Sequence, residues 1–393
     1  MTTYSGYCTE AIERSRQAAC GSGHKGAAAG RFLCLVAALF AAVAGYSSSA
    51  RAQIVATDIL GRQITLDEPA SRIAIDDGRY LIALSLIHPD PVSLLSAWPH
   101  DVKRIGPAVY EQYRRKNPAI GDLPAISSST GNLSVEEVLA AAPDLAVFSL
   151  AARPSAEQIA LLESAGLAVA VIDFFNQPEV NLEPSLRFLG RVTGRDAQAE
   201  DFISFRRDHL QAISSALAGD DGPRPRVFLE PHAARTDDCC ASPGKGNIGN
   251  YIDFVGGDNI GADVIPGPAG MLSLEYVIEA NPDVYIVTGG SHMEGTVGLL
   301  IGPEYNETTI RDTLRRVADR NGISGLRATR SGRVHGIAHQ LLNSPLDILA
   351  TEALAKWIRP DLFADIDLEE TKRQINDRFL AIPLDGINWI DLE

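Results

Sequence analysis

One stretch of this chain occurs twice, 139 residues apart. Residues 134–149 read SVEEVLAAAPDLAVFS and residues 273–288 read SLEYVIEANPDVYIVT, with Ser, Glu, Val, Ala, Pro and Asp at matching places. Each copy predicts a short helix that starts at a serine cap, a proline that ends it, and a buried parallel strand. A repeat at this distance predicts two similar α/β lobes rather than a solenoid, whose period is about 20–50 residues. A ligand cleft is expected between two such lobes.

The first 52 residues have the three parts of an export signal. Arg31 precedes an apolar stretch at residues 32–45, and Ala50-Arg51-Ala52 offers a small-residue cleavage site before Gln53. The apolar stretch is shorter than the about 20 residues that a membrane span needs, so we favour export over a membrane anchor. We therefore expect residues 1–52 to be a signal peptide, cleaved after Ala52, and the protein to be periplasmic.

The charge of the remaining chain argues against nucleic acid as a partner. The leader holds five of the 35 basic residues and two of the 50 acidic ones, which leaves 30 against 48 and a net charge of −18. Nucleic-acid binding needs a basic surface, which this balance does not favour.

Only two of the five cysteines, Cys239 and Cys240, follow the leader, and they are adjacent. No spaced set of cysteines and histidines accompanies them, so we expect neither a direct metal site nor an iron–sulfur cluster. In an exported protein the pair is expected to form a disulfide. Two free thiols are the alternative, because adjacent cysteines bridge only with unusual backbone geometry.

The region between the two copies of the repeat contains the longest helical pattern. It covers residues 182–218 and is interrupted at Thr193-Gly194. We expect an N-terminal α/β lobe at residues 53–181, a connecting helix at 182–219 and a C-terminal α/β lobe at 220–393. Residues 98–118 are polar and aromatic, and they predict a loop with at most a short helix that overhangs the cleft.

Several motifs follow one another in an order that resembles a known family. They are Asp58-Ile-Leu-Gly61-Arg62, Ser134-x-Glu136, Gly256-Gly-Asp-Asn-Ile260, Ser273-x-Glu275, Thr288-Gly-Gly290 and the closing residues 382–389, IPLDGINW. Over residues 54–393 the chain resembles the class III periplasmic binding proteins, which serve ABC importers of ferric siderophores, haem and cobalamin. The closing segment is most similar to the iron-siderophore branch. The resemblance implies an α/β fold of two Rossmann-like lobes joined by one long α-helix, with the ligand cleft between the lobes.

The resemblance also implies a function. The protein would be a monomer that has no cofactor and is not an enzyme; it captures a chelated ferric iron and delivers it to an inner-membrane ABC permease dimer with its ATPase. A haem- or cobalamin-binding protein of the same class is the alternative. A metal-cluster oxidoreductase of similar fold is less favoured, because it needs spaced thiolates.

The same resemblance assigns a role to one glutamate in each copy of the repeat. In this family a glutamate at the place of Glu136 and of Glu275 contacts arginines of the permease. The alternative is that both side chains are capping-box partners of the serines that start the helices.

The carboxyl ends of the strands indicate the ligand-binding residues, since ligands of doubly wound sheets lie beyond them. Arginine forks suit carboxylate and catecholate oxygens, and tyrosines stack on flat groups or donate a hydroxyl. Arg79 comes first, because it directly follows the strand Ile73–Ile75. His232 and His292 could meet across the second lobe, although ordinary polar roles are the simpler interpretation. The predicted ligand-binding residues are Arg79, Tyr80, Tyr110, Tyr113, Arg114, Arg153, His232, Arg235, Lys245, Tyr251, Ser291, His292 and Gln340.

Overall fold

Each copy of the repeat forms one helix and the strand that follows it. The two strands lie inside two different sheets. The structure, a computed structural model, describes residues 53–236 and 239–392. The predicted signal peptide lies outside the described residues. The described residues belong to one compact unit that contains the two main sheets, as the prediction of two α/β lobes requires.

The first lobe is a four-stranded parallel sheet in the order β4-β3-β5-β6, with an antiparallel hairpin, β1-β2, before it. The five residues of β5 are all buried, as expected of a strand covered on both faces. The strands are β1 (Ile54–Thr57), β2 (Gln63–Leu66), β3 (Ile73–Ile75), β4 (Leu95–Ala97), β5 (Leu145–Ser149) and β6 (Ala168–Ile172). The helices are α1 (Tyr80–Ile87), α2 (Val102–Ile105), α3 (Pro107–Lys116), α4 (Val135–Ala140), α5 (Ala156–Ser164) and α6 (Pro178–Val192).

The second lobe is a five-stranded sheet in the order β13-β12-β11-β7-β9, parallel except for β13. Strand β11 of the second repeat copy pairs with β7 before it and β12 after it, as β5 pairs with β3 and β6. The strands are β7 (Arg226–Glu230), β8 (Ala241–Pro243), β9 (Asp258–Asn259), β10 (Ala269–Met271), β11 (Val284–Gly289), β12 (Val334–Ala338) and β13 (Trp389–Asp391). The helices are α8 (Ile248–Phe254), α9 (Leu274–Ala280), α10 (Glu307–Ala318), α11 (Arg327–Arg330), α12 (His339–Leu342), α13 (Asp347–Ile358), α14 (Pro360–Phe363) and α15 (Leu368–Arg378).

The connection between the lobes is α7 (Asp196–Leu217), a helix of 22 residues. The chain turns at Gly194, whose φ of +67° lies in the left-handed region that favours glycine. Helix α6 therefore folds back along α7 and belongs to the first lobe, so the connector is shorter than the predicted 182–219. Arg206 of α7 is buried and forms a two-pronged ion pair with Asp347, at 2.7 and 2.6 Å, which fixes the connector to the second lobe.

The C-terminal segment crosses back to the first lobe. The backbone N–H of Ala381 donates to the Ser85 carbonyl at 2.9 Å, and the N–H of Ile382 donates to the Ser85 hydroxyl at 3.0 Å. The lobes are thus tied by two separate segments, α7 and residues 380–388. Among residues 53–236 and 239–392, no helix combines the length and the apolar character that crossing a membrane requires.

Candidate ligand cleft

The carboxyl end of β3 carries a buried carboxylate that organises two arginines. Asp77 is buried and accepts from Arg79 Nε at 2.9 Å and from Arg79 Nη2 at 2.8 Å. Arg104, which is not among the predicted ligand-binding residues, donates to the same carboxylate, and so does the Ser129 hydroxyl. Burial acts to raise the pKa of Asp77, but the two guanidinium groups outweigh it and hold that pKa below its usual value. Two arginines are thereby held in place at the cleft.

Two neighbouring carboxyl groups are shifted the other way. Burial, with a smaller contribution from Asp77, raises the pKa of Asp76 to about 7, although Asp76 accepts from the Ser149 N–H and hydroxyl. Burial followed by Asp77 raises the pKa of Asp101 to about 6. The carboxylates around the arginines therefore carry less negative charge near neutral pH than their number suggests.

The Arg79 guanidinium makes a second contact besides Asp77, and one of its nitrogen atoms has no hydrogen bond among the described residues. Its guanidinium lies 3.6 Å from the ring centroid of Phe175, a cation–π contact. Its side chain is 17 % exposed, and among the described residues Nη1 has no hydrogen-bond partner. Tyr80 stacks on the same Phe175 with ring centroids 5.6 Å apart, but it is fully buried and its hydroxyl has no partner among the described residues.

Three histidines meet at the carboxyl end of the second sheet. His292 Nε2 lies 2.8 Å from His232 Nδ1, and the rings of His232 and His339 are 3.9 Å apart. Asn343 Nδ2 donates to His339 Nε2 at 2.6 Å, so His339 carries its proton on Nδ1, which donates to the Thr288 hydroxyl. His232 Nε2 has no hydrogen bond among the described residues.

The histidine cluster is neutral at physiological pH. Burial lowers the pKa of His232 to about 4, with His292 and Arg235 adding to the effect. Burial also lowers the pKa of His292, and it lowers that of His339 well below the ordinary value. Arg235 is exposed beside the cluster and is within electrostatic reach of His232 and His292. A permanent positive charge and uncharged imidazoles thus face the cleft from the second lobe.

The two lobes touch each other at the mouth of the cleft. Gln340 Nε2 donates to the Arg104 carbonyl at 2.8 Å, and the Ala108 N–H donates to Glu304 Oε1 at 3.0 Å. Glu304 thereby caps the first turn of α3 from the opposite lobe. Beside these contacts lies a small cavity, lined in part by Gln340, Glu304 and Ser291, that measures about 20 Å³ and has room for about one water molecule. The two lobes are thus in direct contact at these residues.

The predicted loop at residues 98–118 is wrong, because this region forms α2 and the ten-residue helix α3. Pro107 stands at the first helical position of α3, where a missing N–H costs nothing. The helix cap comes from Glu304, 196 positions away, so no local sequence pattern indicates it.

The remaining predicted ligand-binding residues are divided between core and surface. Tyr113 is 2 % exposed and lies in the core of the first lobe, and Tyr251 is 7 % exposed with its hydroxyl donating to Asp347. The structure does not bring these two side chains to the cleft surface. Tyr110 is half-buried and stacks on Trp98. The exposed side chains are those of Arg114, Arg153 and Lys245. Arg114 forms an ion pair with Glu111.

Glu136 and Glu275 occupy equivalent positions on the two lobes. Ser134 and Ser273 cap their helices by accepting from the N–H of Glu137 and Tyr276, at 3.2 and 3.1 Å. Both glutamates are therefore one residue too early for a capping box, which uses the third helical position. Both are exposed. The capping-box alternative does not hold, and docking stays a prediction.

The sequence of this chain is similar to those of known proteins. The sequence matches the periplasmic binding protein family over residues 85–341. A cobalamin-binding protein of Halobacterium salinarum (strain ATCC 29341 / DSM 671 / R1) is 32 % identical over 183 residues, 46 % of each chain. The match thus spans about half the length of that curated relative.

Solved structures share the fold. The TroA-like periplasmic binding protein FepB from Veillonella parvula superposes with a TM-score of 0.79 and 22 % identity, over 86 % of this chain and all of that one. A periplasmic haem-binding protein from Pseudomonas aeruginosa superposes with a TM-score of 0.52 and 20 % identity, over 81 % of this chain and 98 % of the other. Because the family match covers well over half of the chain and the two-lobe fold agrees with it, this protein belongs to the periplasmic binding protein family.

Proposed function

We propose that this protein is the solute-binding component of an ABC importer and that its cargo is a ferric siderophore with anionic oxygens. The observation that carries the proposal is the pair Arg79 and Arg104, held on the buried Asp77 at the cleft. Guanidinium groups that are oriented before the ligand arrives lose little freedom on binding, which favours affinity. Their remaining N–H groups match the oxygens of catecholate and carboxylate ligands.

The opposite wall supports the same class of cargo. Arg235 adds a permanent positive charge, and the low pKa of His232 keeps the cluster free of further charge near neutral pH. An anionic complex between the lobes would therefore meet arginines from both sides. In this structure Gln340 and Glu304 of the second lobe contact the first lobe at the mouth of the cleft. Binding requires that the contacts of Gln340 and Glu304 with the first lobe separate.

A cobalamin is the second candidate, and the 32 % identity to a cobalamin-binding protein favours it. Haem is a third member of the same class of cargo, since a haem-binding protein shares the fold. No catalytic step is proposed for any of them. Delivery to an inner-membrane permease with its ATPase belongs to the proposal for every cargo.

Two measurements distinguish these cargoes. Native mass spectrometry of protein purified from iron-starved cells reads the mass of a retained ligand. Titration of the purified protein with a ferric catecholate, a ferric hydroxamate, haemin and cyanocobalamin, followed by tryptophan fluorescence, compares the affinities. Trp98 stacks on His100 and Tyr110 next to the cleft, so a bound chromophore should quench it.

We expect saturable quenching by the ferric catecholate at the lowest concentration. Tight binding of cyanocobalamin or haemin, together with no response to either ferric complex, would overturn the siderophore proposal while leaving the importer role intact. Conversion of the bound complex to a new product by the purified protein would contradict the assignment as a binding protein.

A further inference from the structure

Three side chains with metal-binding atoms meet at the end of β7, outside the ligand cleft contacts described above. A carboxylate oxygen of Glu230 and the sulfur atoms of Cys239 and Cys240 all lie within 4.8 Å of one another. The structure joins the two sulfur atoms as a disulfide. The sequence leaves the dithiol form as an alternative, and this form would present two sulfur ligands and one oxygen ligand at one point.

The backbone holds this group in place independently of the sulfur–sulfur bond. The N–H of Cys240 donates to the Leu272 carbonyl at 3.1 Å, and the N–H of Leu272 donates back to the Cys240 carbonyl at 2.9 Å. Strand β8, which follows directly, continues this antiparallel pairing with β10. Cys240 is fully buried and Cys239 is partly buried, so the group is anchored on one side and reachable on the other.

The charges around the group suit a divalent cation. Glu230 is buried in an ion pair with Arg320, and the Tyr285 hydroxyl also donates to it. With neutral sulfurs, one negative and one positive charge cancel. If a divalent cation displaces the two thiol protons, two thiolates and one carboxylate face one guanidinium and two cationic charges, and the sum is again zero. The cation therefore adds no net charge to a buried site, which would otherwise be costly.

A metal site requires the three ligand atoms to be rearranged by a small distance. Zinc–sulfur bonds of about 2.3 Å in tetrahedral geometry place neighbouring ligand atoms about 3.7 Å apart. The two sulfur atoms, bonded to each other in the structure, must therefore move apart to about this distance, and the Glu230 oxygen, which lies within 4.8 Å of both, must come closer; side-chain rotation supplies both movements once the disulfide is open. Two sulfur ligands select thiophilic ions over magnesium or calcium.

We propose that the dithiol form of Cys239 and Cys240, together with Glu230, binds one thiophilic divalent cation such as Zn²⁺ or Cd²⁺. A dithiol or phosphine reductant supplies two electrons to the disulfide, two protons complete the thiols, and the reductant is oxidised. The cation then displaces both protons and forms two metal–sulfur bonds and one metal–oxygen bond. The proposal does not depend on the cargo's identity.

The test uses Cd²⁺ alone as the probe, because its bonds to thiolates absorb in the ultraviolet. Protein without the signal peptide is reduced with a phosphine, freed of reductant without air, and titrated beside unreduced protein. The reduced protein is expected to bind one Cd²⁺ per chain, with the ultraviolet band and release of about two protons per ion. The unreduced protein is expected to bind none at this site.

Variants assign the ligands. Cys239→Ser, at the partly exposed position, is expected to weaken Cd²⁺ binding at least about 100-fold, and Glu230→Gln about 10–100-fold with the band retained, by analogy with measured effects of lost metal-site partners. Glu279→Gln, an exposed glutamate of the same lobe, is the control and should bind as the unaltered protein does. Thermal unfolding shows which variants fold. If Glu230→Gln does not fold, Glu230→Asp takes its place.

Three results would overturn the proposal. The first is reduced protein that shows no ultraviolet band with excess Cd²⁺. The second is equal Cd²⁺ affinity in the unaltered protein and Cys239→Ser. The third is binding to the unreduced protein with the same stoichiometry and affinity, which would place the ion elsewhere.

Discussion

At the scale of single residues, the cleft depends on charged groups whose partners are already in place. Arg79 is oriented by Asp77 and stacked on Phe175 before any ligand arrives. Arg104 shares the same carboxylate. One buried carboxylate thus orients two guanidinium groups.

Arg79→Ala is therefore expected to weaken an anionic ferric complex by about 1.5–3 kcal/mol, the usual contribution of a charged hydrogen bond. A neutral hydroxamate complex should lose much less. Fluorescence titration of both ligands measures the difference, with Arg373→Ala as a control, since that arginine is exposed and pairs only with Glu370 and Asp377 among the described residues. Equal losses of affinity for the two ligands would show that Arg79 does not distinguish anionic from neutral complexes.

The histidine cluster predicts a loss of stability in acid. The pKa of His232 is about 4 in the folded protein, against 6.5 in the unfolded chain, so the stabilisation is present above pH 6.5 and disappears as the pH falls towards 4. The shift corresponds to about 3 kcal/mol. Urea unfolding at pH 7 and at pH 4.5 should show a larger loss for the unaltered protein than for His232→Gln. The raised pKa of Asp76 makes the free energy of unfolding change with pH in the opposite direction. Asp76 is present in both proteins, so its contribution cancels when their losses are compared. Parallel losses would contradict the prediction.

The adjacent cysteines are predicted to be a disulfide in the exported protein. Intact-mass measurement after alkylation without reduction is expected to show no added label, and two labels after reduction. Two labels on unreduced protein would show that the dithiol is the resident state.

At the scale of secondary structure elements, α3 is the part of the first lobe that closes the cleft. Its first turn is capped by Glu304 of the second lobe, and the preceding Gly106 has a φ of +92°. A Cβ at Gly106 would lie 3.2 Å from Glu304 Oε1, so the chain passes close to the opposite lobe here. Opening of the cleft must therefore remove the cap of α3.

Glu304→Ala is expected to raise the amide exchange rate at residues 106–110 and to speed ligand association, because a helix cap contributes about 0.5–2 kcal/mol. Hydrogen exchange with mass spectrometry and stopped-flow fluorescence measure these two effects. Glu307→Ala is the matched control, since that glutamate is exposed on α10 and pairs with Arg311. Unchanged exchange in Glu304→Ala would show that the cap does not hold the lobes together.

At the scale of the whole molecule, two crossing segments limit how far the lobes can separate. Helix α7 is anchored by the buried pair of Arg206 and Asp347, and residues 380–388 bind the first lobe through Ser85. Both lobes present an exposed glutamate at the start of a repeat helix.

Glu136→Ala combined with Glu275→Ala is expected to abolish uptake in cells while ligand binding by the purified protein is unchanged. Each exposed charge at a helix start contributes only about 0.3–1 kcal/mol to stability, so the fold should survive. Glu157→Ala combined with Glu279→Ala is the control: both are exposed, and Glu157 also stands second in a serine-capped helix. A fall in ligand affinity as large as the fall in transport would contradict the docking assignment.

The sequence by itself determined what local chemistry and periodicity control. The serine caps at 134 and 273, the buried strand Ile73–Ile75 and the break at Gly194 all rest on interactions within a few residues, and the structure has each of them. The repeat was enough to predict two related lobes, because copies of one pattern bury the same faces.

Only the tertiary structure decided which of the selected side chains meet. Tyr113 and Tyr251 carry the right chemistry but fill the core, and Arg104 reaches the cleft from a region whose sequence predicts a loop. Helix α3 depends on Glu304, and the proposed metal site combines the adjacent cysteines with Glu230 at the end of another strand. Contacts between residues far apart in the chain arise from the packing of the sheets and lobes, and that packing leaves no periodic trace in the sequence.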